Sequence, residues 1–359
     1  MVNNMENNVS PEMNINQEVS PEISPDTAVI KQRKGMSGST LKLIAIITML
    51  IDHTAATILQ RLLAQGQAGL DITSTQAVMD FYANNGVLLA CYSVMRLIGR
   101  LGFPLFCFLL VEGFLHTRKV WKYAVRLAIF ALISEIPFDL ALFGQSFNWN
   151  YQNVFFTLFV GLMVLAGFKA IGEKGIDKKW LPALSIAGAI AAGCAVAYAI
   201  IGVIQTINSL LAGAGTGVSI PTGNVQIICS ILFSIIALAV YGIMIRKNSI
   251  MKASVRFADI AVLVAGMAAA NLLKTDYSAF GVLTIAVMYG LRKKPFKAML
   301  GGCITLTIMS FSEITCFFTL IPAYLYNGKR GINLKYVFYL FYPVHLFLLY
   351  LICYFMKIL

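Results

Sequence analysis

The sequence predicts an all-α protein, a polytopic integral membrane helical bundle with about ten to eleven transmembrane helices. Three observations lead there. Hydrophobic residues make up 58% of the 359 positions and charged residues only 12%, with a mean hydropathy of +0.77, the composition of a membrane protein rather than a soluble domain. From residue 37 onward the apolar residues come in runs long enough to cross a bilayer, separated by short polar stretches. Finally, 23 of the 28 Lys and Arg fall in the amino-terminal tail or at alternate ends of those runs, the positive-inside pattern. That distribution also explains the net charge of +12. It is a topology signal, and it argues against a nucleic-acid partner.

In chain order, residues 1–36 are polar and Asn-rich, with VSPE at 9–12 and 19–22 and ISPD at 23–26. Proline in each repeat and the lack of apolar periodicity predict a disordered cytoplasmic tail, leaving 37–359 as one transmembrane domain. The first apolar run follows the basic KQRK and holds Asp52 and His53, so it reads as an uncleaved first span and not as a signal peptide. Eleven segments follow from the apolar runs: 40–62, 101–117, 120–143, 152–171, 180–208, 224–245, 256–273, 277–291, 297–312, 315–327 and 335–357. Basic clusters at alternate ends put the amino terminus in the cytoplasm. The 315–327 segment is too short to span straight and reads as re-entrant or tilted. Residues 63–100 form a long outer connection whose amphipathic pattern predicts a helix on the outer surface. Residues 209–223, rich in Gly, Ala and Ser, read as a flexible loop, and IAGAIAAGCAVAYA in the 180–208 segment suits close helix packing.

Seven scattered cysteines without a CxxC, and three histidines without ligand spacing, predict neither a disulfide framework nor a metal site. The chemistry must come from ionisable residues inside the apolar runs, which are costly there and mark functional sites. Lys42 and His53 are 11 residues apart on the first span, which is about three helical turns, so they share a face about 16 Å apart along the axis. Sorted by depth, Lys42, Glu112, His116, Arg118, Arg126 and Asp259 lie near the inner side. Asp52, His53 and His345 lie near the middle, and Arg96, Arg100, Glu135, Asp139, Asn153, Asp276 and Glu313 lie toward the outer side.

A neutral His53 at mid-depth suits a general base, or alternatively a packing histidine that hydrogen-bonds a neighbouring helix. Asp52, about 100° further round the helix, can support His53 or bind another span. Lys42 and Arg118 suit the phosphates of a nucleotide-bearing donor, with His116 an ordinary interfacial residue or part of that mouth. His345 follows Pro343, which frees a backbone carbonyl. Glu135 and Asp139 share a face and suit either a structural ion pair or acceptor binding. Arg96 and Arg100 suit the acceptor side or a solvated face.

The stretches GMSGSTLKLIAIITMLIDH, RLIGRLGFPLFCFLLVEGFLHTRK, RLAIFALISEIPFDLAL, QNVFFTL, TDYSAFGV, PAYLYNGKRG and FYLFYPVHL resemble, in order, the motifs of the TraX family. The resemblance runs from about residue 36 to the end. It implies a multi-pass protein of the bacterial inner membrane, and the family's namesake is implicated in N-terminal acetylation of conjugative pilin. More distantly, the chain is similar to transmembrane acyltransferases that take acyl-CoA from the cytosol and use a first-helix histidine, with a basic or polar residue 11 positions earlier. His53 and Lys42 stand at that spacing. The larger group often has Arg at the earlier position, and Lys lacks its planar two-pronged grip.

The resemblance therefore implies an acyltransferase, in particular an acetyltransferase, with acetyl-CoA as donor and no metal. His53 with Asp52 would be catalytic, as general base or acyl carrier. Lys42, Arg118, His116 and Glu112 would bind acyl-CoA, and His345 would support the base at mid-membrane. Glu135, Asp139, Arg96 and Arg100 would face the acceptor, an amine or hydroxyl such as a pilin N-terminus or a glycan. Two other readings stay open from the residues: a transporter or flippase with His53, Glu135 and Asp139 as proton relay, and a non-catalytic scaffold for surface-appendage assembly.

Overall fold

The computed structural model describes residues 35–71, 73–174, 180–213, 218–247, 249–332 and 335–359. The expected disordered tail thus lies outside the described residues except for Gly35 and Met36, which begin the compact unit Gly35–Leu359.

The chain opens with one long rod, Gly38–Gln67. It consists of α1 (Gly38–Thr54), a π turn (Ala55–Leu59) and α2 (Gln60–Gln67). Ser37 starts it by accepting the Thr40 N–H on its hydroxyl at 3.3 Å, which satisfies one of the first turn's orphan donors. Helix α3 (Thr75–Gly99) begins at Ser74, whose hydroxyl accepts the Ala77 N–H, and α4 (Gly102–Leu115) continues it after a break at Arg100–Leu101. Then come α5 (Val120–Phe143), closed by Gly144 at φ 68°, α6 (Val154–Lys174), α7 (Leu181–Gly213), α8 (Gly223–Lys247) and α9 (Ile250–Leu272). The remainder is α10 (Ser278–Gly290), α11 (Pro295–Met309) with proline in its first turn, a 3-10 helix (Phe311–Thr319), α12 (Leu320–Tyr324) and α13 (Lys335–Phe355).

Seven stretches among the described residues are long and apolar enough to cross a membrane: Gly38–Gln67, Thr75–Leu115, Val154–Gly172, Leu181–Gly213, Gly223–Lys247, Ile250–Leu272 and Phe338–Phe355. Helix α5 matches them in length but carries Lys122, Arg126, Glu135 and Asp139. Three shorter apolar helical stretches, Ser278–Gly290, Pro295–Met309 and Phe311–Tyr324, account for the remaining expected segments. The protein is an all-α, multi-pass membrane bundle. Its main core joins residues of α1, α4, α5, α6, α10, α11 and α13, among them Leu41, Leu105, Phe138, Leu162, Ile285, Met299 and Leu346. Helices α7, α8 and α9 pack together beside it. Lipid supplies no hydrophobic drive between helices, so close approach of backbones matters. At Gly188 of α7 a Cβ would overlap the Phe257 carbonyl of α9.

Two expectations change. Residues 75–115 form one broken helix of spanning length that joins the expected outer helix to the 101–117 segment, and its arginines meet carboxylates of other elements, as described below. Helix α7 runs to Gly213, past the expected end at 208, and the Asn208 side chain ties back to Ile220 through both its N–H and C=O. The centre of that expected loop, 214–217, lies outside the described residues.

Two isolated backbone bridges pin the ends of the bundle. Met36 donates to Leu325 O at 2.8 Å and accepts from Asn327 N at 3.0 Å. Gln152 donates to Lys274 O at 3.1 Å and accepts from Asp276 N at 2.9 Å.

Candidate functional site

His53 lies in the last turn of α1, two residues before the π turn. Single π turns recur at functional sites, and here the buried Thr57 donates its hydroxyl to the His53 carbonyl at 2.6 Å. Nδ1 of His53 lies 2.7 Å from Nε2 of His345 on α13, and Nδ1 of His345 lies 2.8 Å from the Phe341 carbonyl. A carbonyl only accepts, so Nδ1 of His345 carries its proton. With both rings neutral, Nε2 of His345 then accepts from His53 Nδ1–H, and Nε2 of His53 holds the lone pair. The relay from a backbone carbonyl through His345 thus presents His53 in the tautomer a base needs. His345 is 4% exposed. The Phe341 ring stacks on it at 4.6 Å, and Tyr342 meets both imidazoles edge-on at 5.7 Å.

His53 lines a chamber of about 50 Å³ together with Met49, Asp52, Phe103, Asp276 and Tyr277. A far larger cavity of about 540 Å³ lies next to it, within the range typical of ligand clefts. Met49, Phe106, Val154 and Tyr342 line both cavities. On α1, Gly38, Lys42 and Met49 face the large cavity and Met49 and His53 the small one, so one stripe of the helix follows the whole route.

The lining of the large cavity is cationic. Lys42, Arg126 and Arg330 line it against a single carboxylate, Glu112. Glu112 accepts the Tyr326 hydroxyl at 3.0 Å, and His116 donates Nδ1–H to the Glu112 carbonyl at 2.8 Å while lining the same cavity. Lys42 stands 5.2 Å over the Phe338 ring. Arg126 lies over Tyr123 at 6.0 Å and bonds Tyr339, yet its Nε–H is buried without a partner. Arg126 and Arg330 were not in the sequence-derived donor set. The signal available for Arg126 was a lone arginine within an apolar helix, and Arg330 is part of PAYLYNGKRG. Arg118 departs from expectation. It is exposed on the connection between α4 and α5 and does not line the cavity, whereas His116 and Thr117 of the same connection do.

The outer-side residues are corrected by their partners. Arg96 pairs with Asp52 at 2.6 Å and Arg100 with Glu313 at 3.1 Å. Both arginines are thus engaged by carboxylates, since buried carboxylates demand a counter-charge. Asp52 spends one oxygen on Arg96 while its other oxygen is buried without a partner. Its hydrogen bond therefore goes to Arg96 on α3. Gly99 permits this approach, since a Cβ there would overlap the Asp52 carboxylate. Glu135 accepts the backbone and side-chain N–H groups of Asn153, and Asp139, wholly buried, accepts the Asn148 N–H at 2.7 Å. Both hold the 148–153 connection against α5, and the other oxygen of Asp139 is buried without a partner. Among the described residues no three His, Cys, Asp or Glu side chains converge as a metal site requires.

Fold and site together define a polytopic helical membrane protein in which a hydrogen-bonded histidine pair stands at a small chamber that adjoins a larger cavity lined by Lys42, Arg126 and Arg330. The family whose model matches is described as TraX protein, over residues 37–218 and 222–353, and the chain belongs to that family. It is also similar to the "Probable fimbrial assembly protein FimC, serogroup H1" of Dichelobacter nodosus, 33% identical over 142 residues, or 36% of this chain and 45% of that relative. The match thus spans less than half the relative's length. No solved structure matches the chain.

Proposed function

We propose that the protein is an acyl-CoA-dependent membrane acyltransferase, transferring acetyl from acetyl-CoA to an amine or hydroxyl of a membrane or extracytoplasmic acceptor. The observation that carries this is the pair of adjoining cavities. A cation-rich mouth suited to a nucleotide's phosphates leads past Met49, Phe106, Val154 and Tyr342 to a chamber lined by a base in the right tautomer. Lys42, Arg126 and Arg330 would hold the donor's phosphates. The basic clusters at this end argue for a cytoplasmic mouth in the inner membrane, where acyl-CoA is made. A chamber of about 50 Å³ holds only about three or four water-sized groups, which favours acetyl over longer chains. The fimbrial-assembly name of the relative favours a pilin as acceptor.

In the reaction, Nε2 of His53 takes the proton from the acceptor's N–H or O–H as that atom bonds to the thioester carbonyl carbon. The C–S bond then breaks, and the CoA thiolate takes the proton back from His53. His345 steadies the imidazolium through the Nδ1–H bond, as the buried carboxylate does in a hydrolase triad. The test is reconstituted protein with labelled acetyl-CoA. CoA release and label transfer are expected, both abolished in His53→Ala at unchanged expression. Full function in His53→Ala cells would refute the proposal, and substrate flux without coenzyme that is lost in the same variant would favour a transporter.

A further inference from the structure

The His53 chamber has a second wall, from the connection between α9 and α10, which the donor reading leaves without a role. Asp276 and Tyr277 line the chamber with His53. This connection is unusually constrained. Lys274, Tyr277 and Ser278 hold φ of 53°, 58° and 42°, a left-handed conformation that non-glycine residues keep only where neighbours impose it. The neighbours are on hand. Gln152 brackets the segment with two backbone hydrogen bonds, the Thr157 hydroxyl donates to the Asp276 carbonyl, and Tyr277 stacks on Phe103 at 3.7 Å.

The result is a carboxylate held in place. Tyr151 donates its hydroxyl to Oδ1 of Asp276 at 2.7 Å. The two salt bridges among the described residues go instead to Asp52 and Glu313, although Arg100 reaches the Tyr277 hydroxyl next door. A carboxylate offers about four lone-pair sites, so Asp276 keeps accepting capacity beside the base. Its other charged neighbours, Asp52 and Glu313 from α1 and the 3-10 helix, are already committed to arginines.

We infer that Asp276 binds the acceptor's reacting head group, a small N–H or O–H donor, and holds it against Nε2 of His53, with Tyr151 as the positioning residue that orients the carboxylate. The inference rests on the acyl-transfer reading. It divides the chamber by function: the donor thioester arrives past Phe106 and Tyr342, and the nucleophile is held on the Asp276 wall.

Hydroxylamine, small enough for the chamber, serves as probe acceptor. Its nitrogen attacks the thioester carbonyl, the C–S bond breaks, and its proton passes through His53 to the CoA thiolate, giving acetohydroxamate. In the full-length reconstituted protein, Asp276→Asn is expected to raise KM for hydroxylamine by about tenfold or more, the loss of one charge-assisted hydrogen bond, with KM for acetyl-CoA unchanged. Tyr151→Phe, a gentler change that leaves the strained connection in place, is expected to shift the same constant in the same direction by less. Unchanged hydroxylamine KM in Asp276→Asn, or parallel losses for both substrates in both variants, overturns the inference while leaving acyl transfer intact. Absence of any His53-dependent hydroxamate from the wild-type protein removes the acyl-transfer reading and this inference with it.

Discussion

Replacing His345 with Phe isolates what the histidine pair contributes. Phe keeps an aromatic ring for Phe341 and Tyr342 to pack on, in a site only 4% exposed. It removes the acceptor that His53 Nδ1–H meets at 2.7 Å. A buried donor left without a partner costs about 1–3 kcal/mol. The loss is greatest when His53 carries the extra proton, so it falls on the transition state rather than on donor binding. At about 1.36 kcal/mol per tenfold, kcat is expected to drop by about fivefold to 150-fold. KM for acetyl-CoA stays constant, because Lys42, Arg126 and Arg330 are untouched. His345→Gln, whose amide oxygen can stand near the position of Nε2, is expected to recover part of the loss. The assay is initial-rate CoA release in liposomes, with melting in detergent as a check on folding. Wild-type kcat in folded His345→Phe, or equal losses in the Phe and Gln variants, would refute the relay.

Three further outcomes follow from the same geometry. Arg126→Ala is expected to raise KM for acetyl-CoA by about tenfold to 150-fold, for one charge-assisted contact, while Arg118→Ala, outside the cavity, leaves it unchanged; titration of CoA binding distinguishes them. Gly99→Ala drives a methyl into the Asp52 carboxylate and strains its pairing with Arg96. The expected penalty is about 1–3 kcal/mol of overpacking, read as a lower detergent melting temperature and absent from Gly86→Ala, where a Cβ meets open space. Butyryl-CoA is expected to be a poor donor for the wild-type protein, at about 1–3 kcal/mol for misfit methylenes, and to improve relative to acetyl-CoA in Phe106→Ala; the ratio of kcat/KM values decides.

Much of the architecture was legible in the sequence. Every expected segment is helical over most of its length, because 20-residue apolar runs have no other way to satisfy their backbone groups in lipid. The 11-residue spacing of Lys42 and His53 put both on one stripe of α1, since helical periodicity is local. The failures came where polarity looked like exposure. The 76–100 stretch has an amphipathic pattern, which local sequence cannot distinguish from a spanning helix whose arginines meet acids contributed from elsewhere. Arg96 and Asp52 are 44 positions apart, and Arg100 and Glu313 are 213 apart.

The sequence by itself determined the class of fold, the family and the presence of a histidine where a bilayer makes one expensive. Tertiary structure alone decided what that histidine is bonded to. His345 lies 292 residues away, and only the packing of α13 against α1 brings its Nε2 to His53 and thereby selects the tautomer. The same holds for the two cavities and for Asp276, whose strained connection is held by Gln152 and Tyr151 from another part of the chain. Helix formation follows from neighbours in sequence, whereas a protonation relay and a cavity depend on side chains that meet only after the helices have packed.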